Sequence, residues 1–258
     1  MKPSLIIISI ALGIILGFKI IESPKRMIDR MMMVHLCLFV ISAGIVVTVN
    51  RTFIQHQDFI YIDTKRAHPL THFMAMGMHG NGGYYRPDGA MDDKIKSPVA
   101  RNQANVRLIQ DRFRNFNGLT NYGKFLVQKQ INNTADGTFG WGQEGTFLQL
   151  NNPDNTKLNR SFIRKMFANQ GTVQANENFE YHFIVQLAWC STLIGLIGVV
   201  NLHSWKIQFL KYSVVGFMLF LLLFEGGRSR YVIQFLPIVL ILTSVGSTRI
   251  LMRIWRNN

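Results

Sequence analysis

The sequence concentrates charge where charge is expensive. In the segment Phe224-Glu225-Gly226-Gly227-Arg228-Ser229-Arg230-Tyr231, two arginines and a glutamate sit in a glycine turn between two apolar runs. Guanidinium groups are planar, permanently charged and able to hold a phosphate through paired hydrogen bonds. Ionisable groups near membrane depth are costly, so Arg228 and Arg230, with Glu225 to orient them, read as an anion site. The plainer alternative is interfacial anchoring with a Glu225–arginine salt bridge. A second stretch, 68–88, mixes His68, His72 and His79 with Met, Phe, Tyr84 and a run of glycines that would let backbone approach a ligand closely. The histidine spacing matches no zinc pattern, and no carboxylate or cysteine completes a set, so no metal is assigned there. His72, His79 and Tyr84 read instead as pocket contacts, against the bland reading of polar loop residues.

Proton transfer to or from a hydroxyl needs one positioned carboxylate. Asp58, Asp63, Asp88, Asp92 and Asp93 could each supply it; Asp58 and Asp88 are kept as the catalytic candidates, with solvated surface as the default. Lys129, followed by Asp136-Gly-Thr-Phe-Gly-Trp141, places an indole on a glycine-rich turn, which suits a sugar or lipid platform as well as a small core. The three Asn-x-Ser/Thr triplets at Asn50, Asn132 and Asn159 arise easily by chance. Nucleotide-binding glycine motifs, G-x-S-x-G and H-E-x-x-H are all missing, which excludes the common folds built on them.

The elements that must position these residues follow from composition. The 258 residues are 48% hydrophobic and only 16% charged, too apolar for an ordinary soluble domain. Five apolar stretches, 5–21, 31–49, 183–202, 209–226 and 231–248, qualify or nearly qualify as membrane spans. Sixteen of the 28 Lys/Arg lie in the polar block 50–181 beside eleven acids; the other twelve flank the apolar runs and face only Glu22, Asp29 and Glu225. That distribution explains the net charge of +14 by membrane orientation and argues against nucleic acid. Lys19, Lys25, Arg26 and Arg30, then Lys206 and Lys211, then Arg249, Arg253 and Arg256 all fall on the cytoplasmic side if the spans alternate. The N-terminus and the 50–181 block are then outside and the C-terminus inside. Cys37 and Cys190 lie within apolar runs and read as single thiols rather than a disulfide.

The expected plan is therefore an α-helical integral membrane protein of about five spans with an inserted α+β extracytoplasmic domain. Residues 1–49 carry two spans with a cytoplasmic linker, 50–181 the outer domain, and 182–258 three spans and a basic tail. Inside the outer block, Ser97-Pro98 predicts a capped helix running to Gly118, and a second helix starts near Thr120. Residues 138–150 alternate glycine with aromatic and apolar residues and predict a hairpin or binding loop. A third amphipathic piece covers 161–168.

Three segments together carry a resemblance: Pro69 and His72 to Gly77, running on through Gly83-Tyr84 to Asp88; Lys129 with Asp136-Gly-Thr-Phe-Gly-Trp141; and Glu225 through Tyr231 to Pro237. The chain resembles the C-terminal half of Gram-positive bacterial multi-pass membrane glycosyltransferases of the GT-C type, related to protein O-mannosyltransferases (glycosyltransferase family 39-like). The resemblance spans most of 50–245. It implies an extracytoplasmic site, a polyprenyl-phosphate-linked sugar donor held by Arg228 and Arg230, and a sugar or acceptor pocket shaped by His72, His79, Tyr84, Lys129 and Trp141. A divalent cation is the one cofactor to consider. The GT-C enzymes place their catalytic aspartate on the first outer loop, whereas here the first two spans enclose only a cytoplasmic linker. The expectation is thus a portion of a membrane glycosyltransferase that acts on an envelope acceptor and lacks its catalytic N-terminal half, with a separately encoded half as partner. Whether it is an enzyme alone stays open. The alternative is a non-catalytic membrane subunit or surface-assembly factor whose outer domain binds envelope glycans or partner proteins.

Overall fold

A computed structural model describes residues 6–22, 30–57, 67–140 and 179–257. The chain divides into two compact units, 1–67 and 68–258. The first holds α1 (Ile6–Glu22) and α2 (Arg30–His56). Along α1, Ile7, Ala11 and Ile15 recur every four residues and are buried, while Ile6, Ile10, Ile14 and Phe18 face outward. The 27-residue α2 likewise exposes Val40, Ile41, Ile45, Val46 and Val47. Helices that are apolar on their outward faces need hydrocarbon rather than water around them. The second helix also runs seven residues past Val49, so the start of the polar block prolongs it.

The second unit contains α3 (Leu70–Met76), α4 (Arg86–Lys94), α5 (Pro98–Asn115), α6 (Leu119–Thr134), α7 (Phe179–Ile197), α8 (Trp205–Leu223), a 3-10 helix (Ser229–Phe235) and α9 (Leu236–Asn257). Two helical stretches, Trp205–Leu223 and the continuous Ser229–Arg256, are long and apolar enough to cross a bilayer, and Phe183–Ile197 is a shorter apolar helix. The expected span 209–226 ends at Leu223, where Phe224 leaves helical geometry. The expected span 231–248 begins with the 3-10 helix and continues helically to Asn257.

The α7–α9 crossing shows how these helices hold together. A methyl group on Gly246 would lie 2.0 Å from the Gly195 carbonyl oxygen, and one on Gly198 would lie 2.2 Å from the Gly246 oxygen. The Thr243 hydroxyl donates across the seam to the Thr192 carbonyl at 3.0 Å. Small residues that let backbones meet, plus an interhelical hydroxyl bond, are the means by which helices associate where apolar burial gives no advantage over lipid. Between α8 and α9 the seam is larger in grain: Phe217 and Phe235 stack with centroids 4.0 Å apart, flanked by buried Leu221, Val232, Val239 and Leu242.

Residues 67–140 fold into the four helices α3–α6. Ser97 caps α5 as its position before Pro98 predicts, accepting from the Ala100 amide, and Gly118, at φ +123°, separates α5 from α6. Phe113, Phe116, Tyr122 and Phe125 cluster at that corner. Ion pairs and hydrogen bonds, more than apolar packing, join α3, α4 and α5. Arg112 grips both oxygens of the buried Asp88 at 2.6 and 2.8 Å and also donates to the Ala75 carbonyl. Arg101 closes the end of α4 by donating to the Asp92 and Ile95 carbonyls.

The expected α+β character is not found among the described residues, which contain no strand. At the start of the predicted hairpin, the Asp136 carboxylate instead accepts from the Thr138 and Gly140 amides. Those amides are the donors a β-ladder would have needed. Residues 141–150 and the expected amphipathic piece 161–168 lie outside the described residues.

The same substitution should have opposite signs at two glycines. Gly246→Ala forces α7 and α9 apart and should lower stability by about 1–3 kcal/mol. Gly89→Ala in α4 meets open space and should raise stability by up to about 1 kcal/mol through reduced chain entropy. Thermal unfolding of the detergent-solubilised variants checks both.

Candidate functional site

One face of α6 organises the region around the arginine turn. Lys129, Asn133 and Asp136 follow at spacings of four and three, which puts them on one side of a helix and its continuation. Lys129 is 1% exposed. Its ammonium donates to the carbonyls of Gly77 at 2.7 Å, Leu222 at 3.0 Å and Phe224 at 2.6 Å. The last two are carbonyls at the end of α8 that have no helical partner, and a cation there also opposes the helix dipole. Asn133 accepts the Gly227 amide at 2.7 Å, and Asp136 accepts the Ser229 hydroxyl at 3.1 Å. Three polar groups on one side of α6 and its continuation thus hold the 222–229 turn.

The glycine loop 77–83 closes the same knot. The Gly226 amide donates to the Gly82 carbonyl at 2.8 Å. A methyl on Gly77 would lie 2.3 Å from the Phe224 oxygen, one on Gly82 2.4 Å from the Lys129 stem, and one on Gly227 2.0 Å from the Asn81 oxygen. Gly82 and Gly227 also hold φ of +83° and +69°, which L side chains rarely adopt. The two motifs singled out by sequence, 68–88 and 224–231, therefore meet backbone to backbone.

The arginine turn carries its own orienting relay. The Tyr231 hydroxyl donates to Glu225 at 2.5 Å and accepts from Arg230 at 3.2 Å, and the Arg230 guanidinium lies 5.1 Å from the Tyr231 ring centre. Glu225 thus reaches Arg230 through Tyr231, whose part is not legible in the spacing of the charged residues. The Arg228 side chain passes beside Gly83, its Nε 3.1 Å from where a methyl there would sit. Arg228, Arg230 and Glu225 are all half-buried.

The other expected pocket residues disperse. His79 stacks on Tyr85 with ring centres 3.7 Å apart, and Tyr84 is exposed. His72 is buried beside Asp92 rather than at the arginine turn. Lys129, by contrast, stays behind the arginine turn, with all three donors on carbonyls. Asp88 has both oxygens on Arg112. Asp58 and Trp141 lie outside the described residues. Among the described residues, one set of three could hold a metal ion: His68, His72 and Asp92. Sequence spacing did not reveal it, because Asp92 comes from a different helix some twenty residues on.

A chain whose outward helix faces are apolar, and whose crossing helices meet through glycines, belongs in a bilayer. The family whose model matches residues 1–250 is described as conserved hypothetical integral membrane protein. The chain belongs to that family. It is an integral membrane protein. No curated protein and no solved structure matches it.

Burial pulls the Lys129 ammonium down to about 8, against the opposing charge of Glu225. Asp136 goes the other way for a carboxylate in its position. Burial would raise it, but the hydrogen bonds from Thr138, Gly140 and Ser229 outweigh burial and leave its pKa lowered. Lys129→Met should leave three carbonyls without a donor at about 1–3 kcal/mol each, a loss of roughly 3 kcal/mol or more. Because the folded state of the native chain releases its proton from about pH 8 and the unfolded state only near 10.5, the lysine's contribution should rise with pH across that window. Thermal midpoints of the native chain and Lys129→Met should therefore draw further apart between those two pH values; parallel curves would contradict the assignment.

Proposed function

We propose that this chain is the donor-holding portion of a membrane glycosyltransferase, with Arg228 and Arg230 on the phosphate of a polyprenyl-phosphate-linked sugar. The observation that carries this reading is the placement of two half-buried arginines on a turn joining two apolar helices, clamped from behind by Lys129, Asn133 and Asp136. A lipid-linked phosphate arrives at that level of the bilayer already positioned, its tail in hydrocarbon and its charge at the interface. A turn stiffened by backbone contacts suits such a ligand, since its arginines lose little freedom on binding. The sugar would extend toward His79 and Tyr84. In this reading five spans alternate across the membrane, with the N-terminus and 50–181 outside and the basic C-terminus in the cytoplasm.

Catalysis is assigned to a carboxylate supplied by a separate half. Asp88 supports that division of labour, because it is buried and committed to a paired contact with Arg112 that favours its ionised form and holds it away from solvent. The same observation favours a second reading, a non-catalytic membrane subunit whose outer helices bind envelope glycans or partner proteins.

Radiolabelled polyprenyl-phosphate sugar should bind the purified, detergent-solubilised chain saturably. Arg228→Ala and Arg230→Ala should each weaken binding by about 10- to 100-fold, the worth of one charge-assisted contact. Tyr231→Phe should weaken it less, since it removes only the orienting hydroxyl. Equal binding by the native chain and both arginine variants would overturn the donor site and leave the accessory-subunit reading. Transfer of label to an envelope acceptor should require a second protein; transfer by this chain alone would refute the assignment of catalysis elsewhere.

A further inference from the structure

Asp92 lies at the centre of a cluster that the arginine turn does not use. It is 0% exposed, and one of its oxygens, Oδ2, lies 3.1 Å from His68 Nδ1 and 3.0 Å from His72 Nδ1. The two imidazoles stack with ring centres 4.3 Å apart, so both present the same nitrogen toward one carboxylate oxygen. The other oxygen, Oδ1, accepts from Asn105 Nδ2 at 2.7 Å.

Hydrogen bonding accounts for only part of this arrangement. His68 Nδ1 makes a bond of acceptable geometry with Asp92. His72 Nδ1 is equally close, yet it is buried and makes no hydrogen bond. His72 is 2% exposed, so bulk water does not serve that nitrogen. Asn105 Oδ1, also buried, lacks a partner as well. A buried imidazole nitrogen that faces a buried carboxylate oxygen without a hydrogen bond is uncommon in a folded interior and calls for a specific cause.

A bound cation supplies one. We propose that His68, His72 and Asp92 form a divalent transition-metal site of the zinc class. Two imidazole nitrogens and a carboxylate oxygen are a donor set that suits zinc and its neighbours rather than calcium or magnesium, which favour oxygen alone. Ligand bonds of about 2.0–2.2 Å in a tetrahedron place donor atoms about 3.3 Å apart. The two nitrogen-to-oxygen separations of 3.0 and 3.1 Å need a shift of only a few tenths of an ångström, and all three donor atoms lie within 4.8 Å of one another. The lone pair on His72 Nδ1 then has its acceptor. With three protein ligands the fourth position stays open on the part-exposed His68 side, where water can reach it. Asn105 acts as a positioning residue, holding Asp92 through its amide.

The site would join three pieces of chain: the segment before α3, α3 itself and α4. It is independent of the donor-binding reading, since none of its residues belongs to the arginine turn.

The test uses the full chain in detergent, stripped with chelator and titrated with zinc chloride against a competing chromophoric chelator. One equivalent should bind. Cobalt substituted in the same way should give the visible absorption of a tetrahedral nitrogen and oxygen site. His68→Ala, at the part-exposed position that leaves the α3–α5 ion pairs intact, should weaken zinc binding by about 100-fold or more while keeping the native elution profile. His72→Gln and Asp92→Asn should abolish it. Asn105→Ala should weaken binding by about 10- to 100-fold. The proposal is overturned if the folded native chain binds no zinc or cobalt, or if His68→Ala binds with native affinity and spectrum.

Discussion

Three carbonyl groups from distant parts of the chain converge on one ammonium, and most of the second unit depends on their doing so. Lys129 fastens the end of α3, the end of α8 and the helix that carries it. An ammonium has three N–H groups and no lone pair, so three acceptors satisfy it fully while keeping it charged. A neutral side chain of the same length could fill the space but would leave the carbonyls bare. The desolvation that this arrangement costs is visible in the lowered pKa of the group. The compensation lies in capping the last turn of α8, whose end carbonyls have no donor within the helix.

A second constraint follows from the first. The ammonium can reach the Gly77 and Phe224 oxygens together only if the two backbones lie almost in contact. Hence the glycines at 77, 82, 226 and 227, each occupying a place where one methyl group would collide with main chain or with the lysine stem. The α7–α9 seam obeys the same rule with Gly195, Gly198 and Gly246. One molecule thus uses backbone proximity twice: once inside the helix bundle for packing, and once at its edge to stiffen a charged turn.

Much of the helical plan was legible in local signals. The Ser97-Pro98 cap and the Gly118 break follow from side-chain chemistry that acts within four residues, and the apolar runs marked helices near their observed places. The arginine turn and the glycine loop could be picked out as unusual, but not paired, because their meeting depends on Lys129 reaching across 95 residues. The spacing of Lys129, Asn133 and Asp136 did contain the clue that α6 presents one polar face inward. The α+β expectation failed at 136–140 for a local reason. Alternating glycine and bulky residues fit a hairpin, but they fit equally well a turn whose amides are claimed by an aspartate, and only the fold decides between them. The pairing of Asp92 with His68 and His72 was not legible in their spacing, because it depends on how α4 folds back beside α3 after the 77–85 loop.

The knot at Lys129 also sets an order of events. Its two farther acceptors, Leu222 and Phe224, are 93 and 95 residues downstream. At a synthesis rate of about 5–20 residues per second, Lys129 is joined to the chain roughly 5–20 s before those carbonyls exist. Throughout that interval the lysine is hydrated and α6 has no turn to hold. The turn that α6 holds is therefore completed only after α8 and the residues that follow it have been made, whereas the contacts of its end with Gln186 and Trp189 are available earlier.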